Sequence, residues 1–198
     1  MTETDARGSL PGVGRWPGAA RQRLQDAALA LFAEHGYAAT TVDDIAAQAG
    51  VSQRTFFRHF RDKEEVLFSA DDRLLHALVN GVRSAPQDST PRELVRAALQ
   101  ALARVLQPER DALRVRAGVL ASDIALHGRD LAKQARWTAV IADEIATRGV
   151  PAPTAALLAA AGAGAFRTVY TTWLADSSRT TLATRLSRAL DDLAEALA

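Results

Sequence analysis

The stretch that decides the fold runs from Thr41 to Lys63 and reads TVDDIAAQAGVSQRTFFRHFRDK. Thr41 is a good helix N-cap, and Asp44, three residues later, completes a capping box. Apolar residues then recur at helical spacing as far as Gly50, a residue that ends helices because it adopts the left-handed conformation without a steric penalty. Ser52 follows as the cap of a second helix. Two short capped helices joined by a glycine turn predict a helix-turn-helix.

The second helix carries side chains suited to nucleic acid. Phe56 and Phe60 are four residues apart and share the face that anchors the helix. Arginine pairs bidentately with guanine, glutamine pairs with adenine, and threonine contacts a thymine methyl group. The residues expected to contact DNA from this helix are Gln53, Arg54, Thr55, Phe57 and Arg58. The segment 51–63 has four basic residues against one aspartate, a local charge of +3 that suits a polyanion.

The longer run LALFAEHGYAATTVDDIAAQAGVSQRTFFRHFRDKEEVL, from Leu29 to Leu67, resembles the DNA-binding signature of the TetR family of transcriptional regulators. The resemblance implies that His59 contacts a phosphate. Thr41, Ser52 and Lys63 are expected to position the head on phosphates, while Gln53, Arg54, Thr55 and Phe57 read bases. One departure is Phe57, because many members have a tyrosine there whose hydroxyl contacts a phosphate.

Composition excludes several classes of protein. The chain has 198 residues and a net charge of only +1. It has no cysteine, so it offers neither a disulfide framework nor a thiolate metal site. It lacks a long apolar run and an N-terminal signal core, which predicts a cytoplasmic protein with no membrane partner. Asp123 and His127 are spaced like metal ligands but have no further partner, so we expect no metal. No catalytic motif is present, and we expect no cofactor and no enzymatic activity.

The periodicity predicts an all-α fold of about nine helices, with a three-helix helix-turn-helix head and a helical bundle body. We expect a disordered arm over residues 1–18, a DNA-binding domain over 19–65 and an effector-binding and dimerisation domain over 66–198. A single helix from about Asp62 to about Val82 is expected to link the head to the body.

Apolar and aromatic side chains of the body predict either an ordinary core or a ligand cavity between helices. The resemblance favours a cavity, and a weaker likeness to members with acyl-CoA-type effectors suggests that Arg114 and Arg116 meet an anionic head group. The predicted effector pocket consists of Leu102, Leu113, Arg116, Leu120, Ile124, Trp137, Phe166 and Tyr170.

The last two predicted helices suggest a dimer interface. Residues 153–175 are apolar nearly all round, so this helix must be covered on more than one side. A leucine stripe in the final helix completes a four-helix bundle between two subunits, which the resemblance also implies; the alternative is burial within one chain. The predicted interface consists of Leu158, Ala165, Val169, Trp173, Leu182, Leu186, Leu190 and Leu193.

Together these patterns predict a homodimeric, ligand-responsive repressor that binds a palindromic DNA operator and is released by a small, largely apolar effector. Two alternatives remain open at this point. One is a DNA-binding regulator without an effector, which predicts a solid body. The other is a helical carrier of small molecules, which predicts no DNA binding.

Overall fold

The computed structural model describes residues 17–196, so nearly all of the arm predicted over 1–18 lies outside the described part. The described part contains ten α-helices, one short 3-10 helix (Gln107–Glu109) and no strand, which confirms the all-α prediction. The helices are α1 Pro17–His35, α2 Val42–Gln48, α3 Gln53–His59, α4 Lys63–Phe68, α5 Asp71–Arg83, α6 Pro91–Leu106, α7 Arg110–Ser122, α8 Ile124–Ala146, α9 Ala152–Ala175 and α10 Leu182–Ala196.

The helix-turn-helix forms as its caps predict. The Thr41 hydroxyl accepts a hydrogen bond from the Asp44 amide at 3.1 Å, and the Asp44 carboxylate accepts one from the Thr41 amide at 2.9 Å. The hydrogen bonds from Thr41 hold the pKa of Asp44 below its usual range. Gly50 makes the turn at φ +65°, a left-handed conformation that favours glycine. The turn presents α3 at the surface of the head.

The predicted helix from Asp62 to Val82 is interrupted, which corrects that prediction. It divides into α4 and α5 at Ser69, whose hydroxyl donates to the Val66 carbonyl at 2.9 Å. Such a local bond gives the backbone an alternative to continuing the helix. The α4 residues Val66, Leu67 and Phe68 pack into the core of the head. We therefore place the end of the head at Ser69 rather than at residue 65.

The body is built from α5 to α10 around one apolar core. Its α9 and α10 face inward through Trp173, Leu182 and Leu186, all of which are fully buried. Helices α5 and α6 approach so closely that a Cβ on Gly81 would lie 2.6 Å from the Ala97 carbonyl oxygen. Glycine is therefore required at this crossing, which sets the spacing between the two helices.

Head and body are joined by packing as well as by the chain. Helix α7 packs against α1, and Val119 and Leu120 of α7 belong to the same apolar cluster as the head. Leu126, at the start of α8, joins them. A displacement of α7 or α8 therefore directly changes the packing around α1. Over residues 17–196, no helix combines the length and hydrophobicity that crossing a bilayer requires.

Candidate DNA-binding surface and ligand cavity

Helix α3 exposes the side chains predicted to read bases. Phe56 and Phe60 are buried and anchor the helix, with ring centroids 5.6 Å apart. Gln53, Arg54 and Arg58 are exposed, and Phe57 is 52% exposed despite its apolar ring. Within the described chain, neither Arg54 nor Arg58 forms a salt bridge. This face can therefore offer guanidinium, amide and aromatic groups to a ligand.

The two predicted capping residues are exposed beside this face. Ser52 caps α3, and its hydroxyl accepts from the Thr55 amide at 3.2 Å and lies 3.0 Å from the Thr55 hydroxyl. Thr41 caps α2 at the other end of the motif. Both hydroxyls are already bonded within their own helices, so a phosphate contact has to share them. Thr55, whose amide and hydroxyl face the Ser52 hydroxyl, is half-buried.

Lys63 does not lie free for a phosphate. Its ammonium nitrogen donates to the Tyr37 carbonyl at 2.7 Å and to the Thr40 carbonyl at 2.9 Å, and the Ala38 carbonyl lies at 3.4 Å. The nitrogen also sits 4.4 Å from the Tyr37 ring centroid. Three carbonyls use the three donors of an ammonium group. We therefore correct the prediction: Lys63 fastens the α1–α2 loop to α4.

His59 is half-buried at the end of α3. Burial, with Arg58 and Arg21 adding to it, lowers the pKa of His59, so the ring is uncharged at neutral pH. Arg21 of α1 donates to the His59 carbonyl at 3.2 Å and to the Ser69 carbonyl at 3.3 Å. Its guanidinium also lies 4.6 Å from the Phe60 ring centroid. Arg21 thus links the end of α3 to the break between α4 and α5.

A cavity of about 990 Å³ lies between α1 and the body. Its wall includes most of the predicted effector pocket: Leu102, Leu113, Arg116, Leu120, Trp137, Phe166 and Tyr170. The prediction for Ile124 is wrong, because this residue opens α8 beside its Asp123 cap and its side chain is 92% exposed. Small-molecule sites span about 300–1,000 Å³, so the volume suits a large ligand. It argues against the solid body expected of a regulator without an effector.

The cavity wall also carries a charged cluster that the sequence did not single out. Asp130 accepts from Lys133 at 2.7 Å and from Arg116 at 3.2 Å, and Lys133 lies 3.5 Å from Asp71. Gln134 donates to Asp130 at 2.6 Å. On α8, residues 130, 133, 134 and 137 share one face at helical spacing. That spacing was the available signal, since it places polar residues beside a core tryptophan.

The two arginines predicted to meet an anionic head group have other partners. Arg114 lies outside the cavity wall and donates to the Leu174 carbonyl at 2.8 Å. Arg116 lines the cavity but donates to the Leu67 carbonyl at 2.6 Å as well as to Asp130. Asp123 accepts from the Ala125 and Leu126 amides as the α8 cap. Across residues 17–196, no group of three or more acidic or histidine side chains is placed to hold a metal.

The predicted dimer residues need a larger correction. Five of the eight are buried inside their own protomer, because the inner faces of α9 and α10 close the body core: Val169, Trp173, Leu182, Leu186 and Leu190. Leu158, Ala165 and Leu193 are half-buried. The surface that α9 leaves open instead includes Ala156, Leu157, Ala160, Ala161, Thr168 and Thr171.

Comparison with known proteins identifies both halves of the chain. Residues 24–70 match the family model described as bacterial regulatory proteins, tetR family, and residues 89–198 match the model described as MftR C-terminal domain. The chain is similar to a Mycobacterium tuberculosis protein named as a mycofactocin biosynthesis transcriptional regulator, MftR, at 33% identity over 139 residues, which covers 69% of each chain. It also matches the transcriptional activator FasR of Mycolicibacterium smegmatis, at 39% identity over 82 residues, covering 41% of this chain and 37% of FasR.

Among solved structures, Thermus thermophilus FadR is described as a TetR-family transcriptional repressor in complex with lauroyl-CoA. It superposes with a TM-score of 0.56 at 28% identity and covers 90% of this chain and 95% of that one. These relatives are named as transcriptional regulators rather than as enzymes. The chain therefore belongs to the tetR family of bacterial regulatory proteins, and it is a DNA-binding transcriptional regulator of this family.

Proposed function

We propose that this regulator is a cytoplasmic homodimeric repressor that places α3 in the major groove of each half of a palindromic operator. The observation that carries the proposal is the exposed face of α3, with its unpaired Arg54 and Arg58 among the described residues. Arg54, Gln53 and Phe57 read base edges, and Thr55 contributes from beside them. Two-fold symmetry spaces the half-sites by about one helical turn, roughly 34–36 Å.

Phosphate contacts fix the register of the head on the duplex. We assign them to Arg58 and to the hydroxyls of Thr41 and Ser52, with a weaker contact from the uncharged His59. Arg58 replaces Lys63 as the principal cation in this role, because the Lys63 ammonium is held by carbonyls. Phe57 supplies an apolar surface for a thymine methyl group and no hydroxyl for a phosphate.

The open face of α9 is the proposed dimer surface. Small residues such as Ala160, Ala161 and Gly164 let two helices approach closely, and Leu157, 72% exposed, supplies apolar area. The exposed face of α10 is polar, with Arg188, Asp191 and Asp192. The interface therefore centres on α9 rather than on the leucine stripe.

The dimer surface can be tested by one substitution and its control. Leu157→Glu places a charge on the proposed interface and should shift the protein from dimer to monomer in analytical ultracentrifugation, with loss of operator binding. Ala132→Glu, on an exposed part of α8, should leave the dimer intact. A dimer that survives Leu157→Glu unchanged would mean that another surface pairs the subunits.

The cavity is the proposed effector site. Its wall is largely apolar, with Leu102, Leu113 and Phe166 among its residues, and its volume suits an extended chain. FadR of Thermus thermophilus is described in complex with lauroyl-CoA. We therefore propose a ligand with a long acyl chain for this regulator too.

Arg21 is the proposed route from the cavity to the DNA. It lines the cavity and contacts the carbonyls of both His59 and Ser69. A ligand that binds one head position better than the other shifts the population of the two positions. Movement of α1 or of the α4–α5 break then changes the direction in which α3 points. Loss of the spacing between the two α3 helices releases the operator.

The effector role is tested by measuring affinity for operator DNA with and without lauroyl-CoA. We expect at least about tenfold weaker binding when the ligand is present, equivalent to about 1.4 kcal/mol of coupling. Ala163→Phe, which fills the cavity from α9, should bind DNA but no longer respond. Arg21→Gln should still bind lauroyl-CoA but show a reduced response. An unchanged DNA affinity when the cavity is occupied would refute release by a ligand.

A further inference from the structure

Four charged side chains on the cavity wall, next to the break between α4 and α5, neutralise one another. Asp130 is bonded to both Lys133 and Arg116, and Lys133 also faces Asp71. The remaining donors of Arg116 include an Nε–H bonded to the Leu67 carbonyl at 2.6 Å. Two cations thus meet two carboxylates, and this part of the wall offers no cation without a partner among the described residues.

Because these charged side chains are largely buried, the balance of their charges determines which ligand groups can bind beside them. Lys133 is only 9% exposed, and the side chains of Asp71 and Asp130 are 17% and 15% exposed. A third carboxylate entering here would lose its hydration and would face two anions as well as two cations. Burying a charge without a free partner is strongly unfavourable. The inner part of the cavity therefore disfavours an anionic group.

Uncharged hydrogen-bond donors are available nearby. The Tyr170 hydroxyl has no hydrogen-bond partner among residues 17–196, and its ring lines the cavity in a stack with Phe166 at 5.2 Å. Burial raises the pKa of Tyr170 to about 12, so the phenol keeps its proton. Trp137 also lines the cavity, is 9% exposed, and its buried indole N–H lacks an acceptor within the described chain. The unmade hydrogen bond of the buried Trp137 N–H favours a ligand with an acceptor, and the Tyr170 hydroxyl on the same wall is available as a second donor.

We propose that the cavity selects a ligand whose apolar chain carries an uncharged acceptor oxygen, such as an ester, thioester or ketone carbonyl, and that the Tyr170 hydroxyl donates to that oxygen. The inference rests on the proposed function of the cavity as the effector site. Two arginines elsewhere on the wall lie near solvent: Arg73 is paired with Glu109 at 2.6 Å, and Arg167 is exposed. A charged part of the ligand belongs there, outside the balanced cluster.

The test compares methyl decanoate, decanoate and undecane, which share a chain but differ in the oxygen group. Binding to the full-length protein is measured by calorimetry and tryptophan fluorescence at pH 8, because burial raises the pKa of Asp71 and the test requires its carboxylate to be ionised. We expect methyl decanoate to bind about tenfold or more tightly than decanoate. Decanoate binding as well as the ester would overturn the charge argument.

Two variants separate the donor from the shape of the wall. Tyr170→Phe should weaken methyl decanoate by about 2- to 10-fold, the range for one hydrogen bond, and leave undecane unchanged. Equal loss for both ligands, or no loss for the ester, would refute the role of the hydroxyl. Leu102→Ala, elsewhere on the wall, should weaken the ester and the hydrocarbon alike.

A third variant should reverse the selectivity. Asp71→Asn removes one carboxylate that faces Lys133 while keeping the shape, so decanoate should gain affinity relative to the ester by several-fold. An unchanged ratio would contradict the balance of charges. If none of the three ligands bound the wild-type protein, the proposed effector site itself would be refuted. Equal binding of the ester and the carboxylate is a different outcome, because it would refute only the charge argument.

Discussion

Gly81 and Gly118 form a matched pair of helical glycines whose replacement by alanine should have opposite effects. A Cβ on Gly81 would meet Ala97 and Ala98 backbone atoms at 2.6 to 2.9 Å, and α6 would have to retreat by roughly 0.8 Å to reach the 3.4 Å of ordinary contact. A Cβ on Gly118 meets nothing within 4 Å. The contacts at Gly81 are backbone atoms, which cannot rotate away as a side chain can.

The magnitudes follow from packing and helix propensity. Alanine is favoured over glycine by about 1 kcal/mol inside a helix, and Gly118→Ala should gain about 0.5–1 kcal/mol in the free energy of unfolding. Gly81→Ala makes the same gain but overpacks the α5–α6 crossing, at about 1–3 kcal/mol. We expect a net loss of up to about 2 kcal/mol, together with a wider cavity, since α6 supplies Leu99 and Leu102 to its wall.

Urea unfolding followed by helical circular dichroism, at one fixed protein concentration, measures both free energies. The mutant midpoints should move in opposite directions from the wild-type midpoint. If Gly81→Ala raised stability as much as Gly118→Ala did, the close approach of α5 and α6 described above would be incorrect.

Two further properties can be predicted from the same structure. Lys63→Met should lower the free energy of unfolding by about 1–3 kcal/mol, because three loop carbonyls lose their hydrogen-bond donor. The salt slope of DNA binding should change little. An unchanged stability together with a salt slope reduced by about one would instead show that Lys63 contacts a phosphate. The pKa of both tyrosines, Tyr37 and Tyr170, is raised to about 12 from 10.0, so ultraviolet titration should find no tyrosinate in the folded protein near pH 10. Because the pKa of each tyrosine is higher in the folded state than in the unfolded state, the contribution of the protonated tyrosines to stability is complete below about pH 10 and is lost as the pH rises towards 12. Titration of the tyrosines near pH 10 in the folded protein would contradict the raised pKa.

The head was predictable in detail because its signals are local. A cap, a glycine turn and two phenylalanines four residues apart act within one or two helical turns, and each forms as expected. Lys63 was assigned wrongly for a related reason. A basic residue at a helix start near DNA-reading side chains suggests a phosphate contact, but its carbonyl partners lie more than 20 residues earlier in the chain.

The body was predictable as helices and less so as surfaces. Helix α9 is apolar nearly all round, so periodicity did not distinguish the face that closes the core from the face left open. Trp173 was therefore predicted at the interface but lies in the core, whereas Leu157 is exposed. The charged cluster depends on Asp71 of α5 meeting Lys133 of α8. The spacing within α8 places Asp130 and Lys133 on one face, but the meeting of Asp71 with Lys133 joins distant helices and leaves no local pattern in the sequence.

The most direct measurement is footprinting of the purified protein on the DNA upstream of its own gene, across a salt series and with Arg54→Ala in parallel. We predict a protected palindrome with half-sites about one helical turn apart, whose affinity falls steeply with salt. Arg54→Ala should cost about 1–3 kcal/mol and relax the preference at one base position of each half-site. Because the operator need not lie beside the gene, genome-wide selection of bound fragments completes the measurement. Failure to select any palindrome, or an Arg54→Ala variant with unchanged base preference, would contradict the claim that α3 reads the operator.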